Sequence, residues 1–216
     1  VPGGTTYVTS WLALTPEEKY ITGIDRLIAS PGRWFVPGDL YVAIIPTGVA
    51  ANLTRDLGVP IGVGSKFNVY GLNLTVIGLL NTSMPIALND LDGESITPRN
   101  TDTGIGLQTG LGVAHYGWNQ IIIIPYDLAT RVAAIRPDIY DVAIKFNNSN
   151  VIRSAAYDLA LGTQIDIFYS TESKVSIIRP RSWFSAVGTE SMLPAIVIAA
   201  LTLLNMSLGG VYEKVR

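Results

Sequence analysis

Tyr41-Val-Ala-Ile-Ile-Pro-Thr-Gly-Val-Ala-Ala-Asn-Leu-Thr-Arg-Asp-Leu57 is the stretch from which the fold can be read. Tyr41–Ile45 is apolar and β-branched, the pattern of a buried strand. Pro46-Thr47 then opens a segment, Thr47–Asp56, in which Val49, Leu53 and Leu57 fall on one helical face, and glycines from Gly58 onward stop it. A hairpin is predicted next. Lys66–Tyr70 alternates, Leu74–Leu80 is a Val/Ile/Leu strand, and the two join around Gly71-Leu-Asn73.

This strand, proline and short helix recur downstream. Gln120–Ile124 reads as a strand ending at Pro125, and Tyr126–Ala134 as a helix with Leu128, Val132 and Ile135 at helical intervals. Ile139–Phe146 reads as a strand. Asn150–Leu161 reads as a helix with Val151, Ala155, Leu159 and Ala160 on one side and Gly162 at its end, and Gln164–Tyr169 as an alternating strand. The echo hints at an internal repeat. The fold class expected is α+β, with small mixed sheets packed with short helices in two subdomains and a long C-terminal apolar helix. Residues 1–38 look irregular, apart from a helix start at Thr15-Pro-Glu-Glu, where a cap precedes proline and acids. Asn81–Trp118 is rich in glycine and short of regular apolar spacing, so it reads as an insertion. Loops of this length in compact domains tend to be functional or mobile.

The other informative stretch is the end, Met192–Arg216, MLPAIVIAALTLLNMSLGGVYEKVR. No charge interrupts Met192–Val211, about 20 residues that at ~1.5 Å each match the ~30 Å hydrocarbon core of a bilayer. A helix apolar all round would need cover on every side, which an α+β domain of this size supplies poorly. A membrane helix is therefore expected, continuous from about Arg181. Val1-Pro-Gly-Gly-Thr lacks the charged start and apolar centre of a signal peptide. A single span near the end without an entry signal predicts a piece of a longer membrane protein.

Composition narrows the function classes. The net charge of −2 gives no basic field for nucleic acid or an anionic bilayer surface. Without cysteine, disulfides, zinc–thiolate and iron–sulfur sites are excluded. The lone histidine, His115, would have to serve any Ser–His–acid triad, yet no G-x-S-x-G elbow occurs. Asp90-Leu-Asp92-Gly-Glu94 resembles part of a calcium loop, but position 6 of the twelve-residue spacing would be Ser95 and position 12 Thr101, so a solvated turn fits better. Gly104-Ile-Gly106-Leu-Gln-Thr-Gly110 and Gly62-Val-Gly-Ser-Lys66 each miss the spacing of a nucleotide loop. No cofactor site, no metal site and no enzyme activity are expected. An enzyme would require Asp90, Asp92, Glu94 and His115 to converge in a pocket.

The ordered block Tyr41–Leu53, Leu57-Gly-Val, Val63-Gly-Ser and Leu74-Thr-Val-Ile-Gly-Leu-Leu80 resembles the extracytoplasmic core domain of MacB-like ABC-transporter permeases. Tyr20-Ile-Thr-Gly-Ile-Asp25, Gly32-Arg-Trp-Phe35 and Ile121-Ile-Ile-Ile-Pro-Tyr-Asp127 resemble further elements of that family in the same order. Leu204-Asn-Met-Ser-Leu-Gly-Gly-Val-Tyr-Glu-Lys-Val-Arg216 is similar to the FtsX-like signature at the cytoplasmic end of the second membrane helix. The matches run from about Tyr20 to Arg216 and leave Pro85–Trp118 uncovered.

The resemblance implies an extracytoplasmic domain over 1–187 (a first lobe 1–84, an irregular insertion 85–118, a second lobe 119–187). A membrane helix over 188–211 and the start of a cytoplasmic segment at 212–216 would follow. Asn205, Gly209, Val211, Tyr212 and Glu213 would be the transmission signature, with Ser207, Gly209 and Gly210 allowing close helix packing. Implied partners are an ATP-binding subunit, a second permease copy, the cell membrane, and an external protein or lipid-linked substrate, with ATP held in the separate ATPase and no nucleic acid. The competing expectation is a membrane-anchored extracellular module that binds carbohydrate or protein.

Overall fold

The computed structural model describes residues 8–82, 88–100, 114–132, 137–171, 174–180, 197–199 and 201–202. The fold is α+β, and the chain divides into two compact units, one up to Asn147 and one from Asn148.

The first unit is built on a six-stranded mixed sheet. Its strands are β1 (Ser10–Leu14), β2 (Ile28–Ala29), β3 (Val42–Pro46), β4 (Lys66–Val69), β5 (Leu72–Leu80) and β6 (Ile121–Pro125), ordered β1-β6-β3-β5-β2 with β4 also paired to β5. β1 runs parallel to β6 and β3 parallel to β5, whereas β3 and β6 meet antiparallel at Ile44 and Ile123. The two strand–proline units expected from the sequence thus lie side by side as the sheet's central strands. Every residue of β6 is buried. Ile44, Ile121 and Ile123 pack on one face with Leu12, Ile24, Leu27 and Phe35, while Ile45, Ile122 and Ile124 pack on the other with Val49, Leu128 and Phe67. A strand covered on both faces needs an apolar residue at every position, which is why these runs do not alternate.

Each of the two strands hands over to a helix at its proline, whose missing N–H is no loss at a helix start. These helices are α1 (Thr47–Leu57) and α2 (Tyr126–Arg131). α1 ends where Gly58 takes φ 70° and its N–H bonds to the Thr54 carbonyl. The β4–β5 hairpin turns tightly at Tyr70-Gly71, with φ 49° and 81°, rather than over the longer Gly71-Leu-Asn73 connection. A bulge in β5 skips from Val76 to Gly78 opposite Ala43 and Ile44. A Cβ on Gly78 would lie 3.0 Å from the Arg33 carbonyl oxygen, so the bulge brings backbone and strand together where only glycine fits without adjustment. Beside it, the Arg33 guanidinium grips Asp39 through both oxygens, at 2.6 and 3.0 Å, and holds that carboxyl below its usual pKa.

β1 was not anticipated in a segment expected to be irregular, and the helix start at Thr15 opens only a 3-10 turn, Pro16–Tyr20. Residues 137–146, read as a strand over Ile139–Phe146, form no ladder. Their alternation suits an extended chain, but a strand also needs a neighbour for its backbone groups. Ile139 and Val142 are 66% and 75% exposed.

The second unit contains α3 (Ile152–Thr163), β7 (Ile167–Thr171) and β8 (Lys174–Ile178), the strands forming an antiparallel hairpin. A 3-10 turn, Ser149–Val151, precedes α3 and is capped by the Asn148 side chain, which accepts from Asn150 N–H at 2.9 Å. Gly162 lies inside the helix, and Gln164 at φ 58° ends it. Only Ala156 and Ala160 of α3 are buried. The division at Asn147–Asn148 falls within the stretch expected as a second lobe, 119–187, because β6 belongs to the large sheet.

Asn205, Gly209, Val211, Tyr212 and Glu213 lie outside the described residues. Of the membrane helix expected over 188–211, the described residues 197–199 and 201–202 are helical and exposed. Among the described residues no helix is long and apolar enough to cross a membrane.

Candidate functional site

A cleft of about 1020 Å³ opens in the first unit. It is lined by β1 along its whole length, by the 3-10 turn at Pro16–Tyr20, by the loop Asp90–Arg99 with His115, and by the extended residues 137–145. The sheet order places β1 at an edge, so β6 occupies one side of its backbone and the cleft adjoins the strand.

The loop has a defined local structure. Asp90 N–H bonds to the Glu94 carbonyl at 2.8 Å, Gly93 takes φ 88°, and the Asp92 carboxylate accepts from Glu94 N–H at 2.8 Å. This is the self-contained turn that the failed calcium spacing suggested. Among the described residues no group of three or more His, Asp or Glu side chains could hold a metal ion. Beyond the turn, isolated antiparallel bridges join Asn89 to Ser95 and Arg99 to His115.

Asp90, Asp92, Glu94 and His115 do line one cleft. His115 Nδ1 lies 2.5 Å from the Thr97 carbonyl oxygen. A carbonyl only accepts, so Nδ1 carries the hydrogen. Nε2 is 3.5 Å from Glu94 Oε2, which also pairs with Arg99 at 3.1 Å. The imidazole is therefore anchored through Nδ1 alone, while Nε2 is buried near the Glu94 carboxylate without a hydrogen-bond partner among the described residues. The hydroxyls of Ser95 and Thr97 bond to each other at 3.0 Å, and among the described residues none bonds to the imidazole. The four residues share a wall without forming a nucleophile–base pair.

Two carboxyls missed in the sequence complete the acidic character of the cleft. Burial pushes the pKa of Glu18 up despite a hydrogen bond from Thr22, with Asp90 and Asp141 adding repulsion. Burial also raises Asp141, and Asp90, Asp92 and Glu94 add to it against the pull of Arg99. Glu18 was visible only as a first-turn acid, and Asp141 only as a polar position in an alternating segment. On the same side Lys145 donates to the Tyr20 carbonyl at 3.0 Å, and the Arg99 guanidinium lies 6.0 Å from the centre of the Tyr140 ring.

Compared with known proteins, the chain matches no family model, no curated protein and no solved structure.

Proposed function

We propose that this chain is the extracytoplasmic part of an FtsX- or MacB-like ABC-transporter permease, joined to a C-terminal membrane helix. On this reading it relays ATP-driven movement across the membrane to an external substrate or partner. The observation that carries the proposal is the ordered series of motifs from Tyr20 to Arg216, closed by Asn205, Gly209, Val211, Tyr212 and Glu213 after a charge-free apolar run. The strand–proline–helix units β3–α1 and β6–α2 lie within that series. ATP is hydrolysed by a separate subunit or domain, a second permease copy completes the transporter, and the chain itself performs no catalysis.

A continuous helix from about Arg181 to Val211 would transmit displacement, because a rigid rod moves its far end and a flexible linker does not. A short Gly-Ser insertion near Val187 should uncouple the external domain. The measurement is ATP-dependent transport, with ATP hydrolysis recorded alongside, in membranes containing the full transporter. Unchanged transport and coupling after the insertion would sink the proposal. The second reading, a membrane-anchored external binding module, is favoured by the cleft beside β1, and a parent protein with one membrane span would select it.

A further inference from the structure

The terminal strand of the large sheet combines two features that the transporter reading does not use. The first is a free edge. Among the described residues β1 pairs with β6 alone, and no backbone group hydrogen-bonds to its other side. Exposed sheet edges template the addition of another strand, and proteins that do not use them blunt them with charge, proline or a bulge. Ser10-Trp-Leu-Ala-Leu14 contains no charge and no proline, and its register with β6 is unbroken.

The second feature is the charge of the space into which this edge opens. Arg99 is committed to Glu94, and Lys145 to the Tyr20 carbonyl. Glu17, Glu18, Asp90, Asp92, Asp138 and Asp141 also line the cleft, and among the described residues none of them forms an ion pair. Beyond the burial that chiefly raises Glu18 and Asp141, Asp90 and Asp141 repel Glu18, and Asp90, Asp92 and Glu94 repel Asp141, so the negative charge is shared across separate segments. Because they do not converge into a metal site, a single ion would satisfy few of them. A chain carrying several cations along its length would satisfy more.

We propose that the cleft docks an extended, cationic segment of a protein partner, which adds as a strand to the free edge of β1 and directs Lys or Arg side chains to the rim carboxylates. Main-chain hydrogen bonds along the edge supply affinity, and the charges select the partner and speed its encounter. The inference stands on the first unit alone and does not depend on the transporter reading.

The test uses the full chain and a fluorescein-labelled Lys-Val-Lys-Val-Lys-Val-Lys peptide, followed by fluorescence anisotropy. Saturable binding is expected, weakening about tenfold as ionic strength rises from about 0.02 to about 0.3 M. The same peptide N-methylated at alternate backbone nitrogens should bind at least about tenfold more weakly, since it cannot complete the ladder. A Glu-Val counterpart should not bind. The surface variant Asp90→Asn/Asp92→Asn/Asp141→Asn, with its fold checked by circular dichroism, should lose about tenfold for the cationic peptide. Equal binding of the N-methylated peptide would reduce the interaction to charge alone and overturn the proposal. Equal binding of the Glu-Val peptide, an unaffected variant, or no saturation up to about millimolar peptide would overturn it as well.

Discussion

The two units bury their apolar residues in different ways. In the first, β3 and β6 are covered on both faces, so that Ile44, Ile45 and Ile121 to Ile124 are fully enclosed. Among the described residues of the second, a two-stranded hairpin accompanies α3, whose buried contribution is Ala156 and Ala160, while Tyr157, Leu161 and Val175 remain exposed. A hairpin of two strands encloses little by itself, whereas a strand inside a six-stranded sheet is enclosed by its neighbours. The contrast teaches that apolar content does not measure a core. What counts is whether the topology gives each apolar face something to meet.

The sharpest way to break this contrast is to remove volume from the centre of the large sheet. Ile123→Ala should cost about 2–5 kcal/mol in the unfolding of the first unit, by transfer and cavity terms together. Denaturant unfolding followed by tryptophan fluorescence in a Trp183→Phe background, which leaves Trp11, Trp34 and Trp118, all in that unit, would read it. A loss below about 1 kcal/mol would mean that the sheet centre is not close-packed.

A smaller effect comes from the cleft carboxyls. Their raised folded-state pKa values favour the protonated form, so their contribution to stability is fully present below the ordinary carboxylate range. It is lost as pH rises through the raised values. Asp141→Asn should therefore stabilise the protein near neutral pH, by less than about 1 kcal/mol because solvent screens a half-open site. The advantage should vanish near about pH 4. Asp39 has the opposite sign, since its Arg33 partner adds stability above the ordinary range that disappears as pH falls through the lowered pKa. Thermal melts of parent and variant across pH distinguish the two. If Asp141→Asn is neutral at every pH, the carboxyls are independent.

The smallest effect belongs to the second unit. Tyr157→Ser on the exposed side of α3 should change stability by no more than about 0.5 kcal/mol, measured by chemical denaturation with far-ultraviolet circular dichroism. A loss above about 1 kcal/mol would mean that this face is covered and would erase the contrast between the units.

Elements written in strong local chemistry were legible in the sequence. The strand–proline–helix stretches that begin at Tyr41 and Gln120 announce themselves through unbroken apolar runs, a proline at the handover and, for α1, a glycine stop, although α2 ends at Arg131 where the helix was expected to run to Ala134. β1 was not legible, because Ser10–Leu14 has no β-branched residue and becomes a strand through β6, more than a hundred residues downstream. β8 was hidden for a similar reason, since Lys174-Val-Ser-Ile-Ile178 takes its identity from pairing with β7. Residues 139–146 err in the other direction, with the right alternation but no ladder. For the site, His115 and the Asp90–Glu94 turn stood out by residue type. The cleft that gathers them with Glu18 and Asp141 depends on tertiary placement that no local pattern encodes.

The parallel pairing of β1 with β6 also has a mechanical meaning. A tension drawn through the chain from before residue 8 and after residue 132 pulls β1 towards its start and β6 towards its end, in opposite directions along a shared axis. The hydrogen bonds between them are then loaded side by side in shear instead of being unzipped one after another. The first unit would resist stretching along this line far more than a pull that peels β1 away sideways.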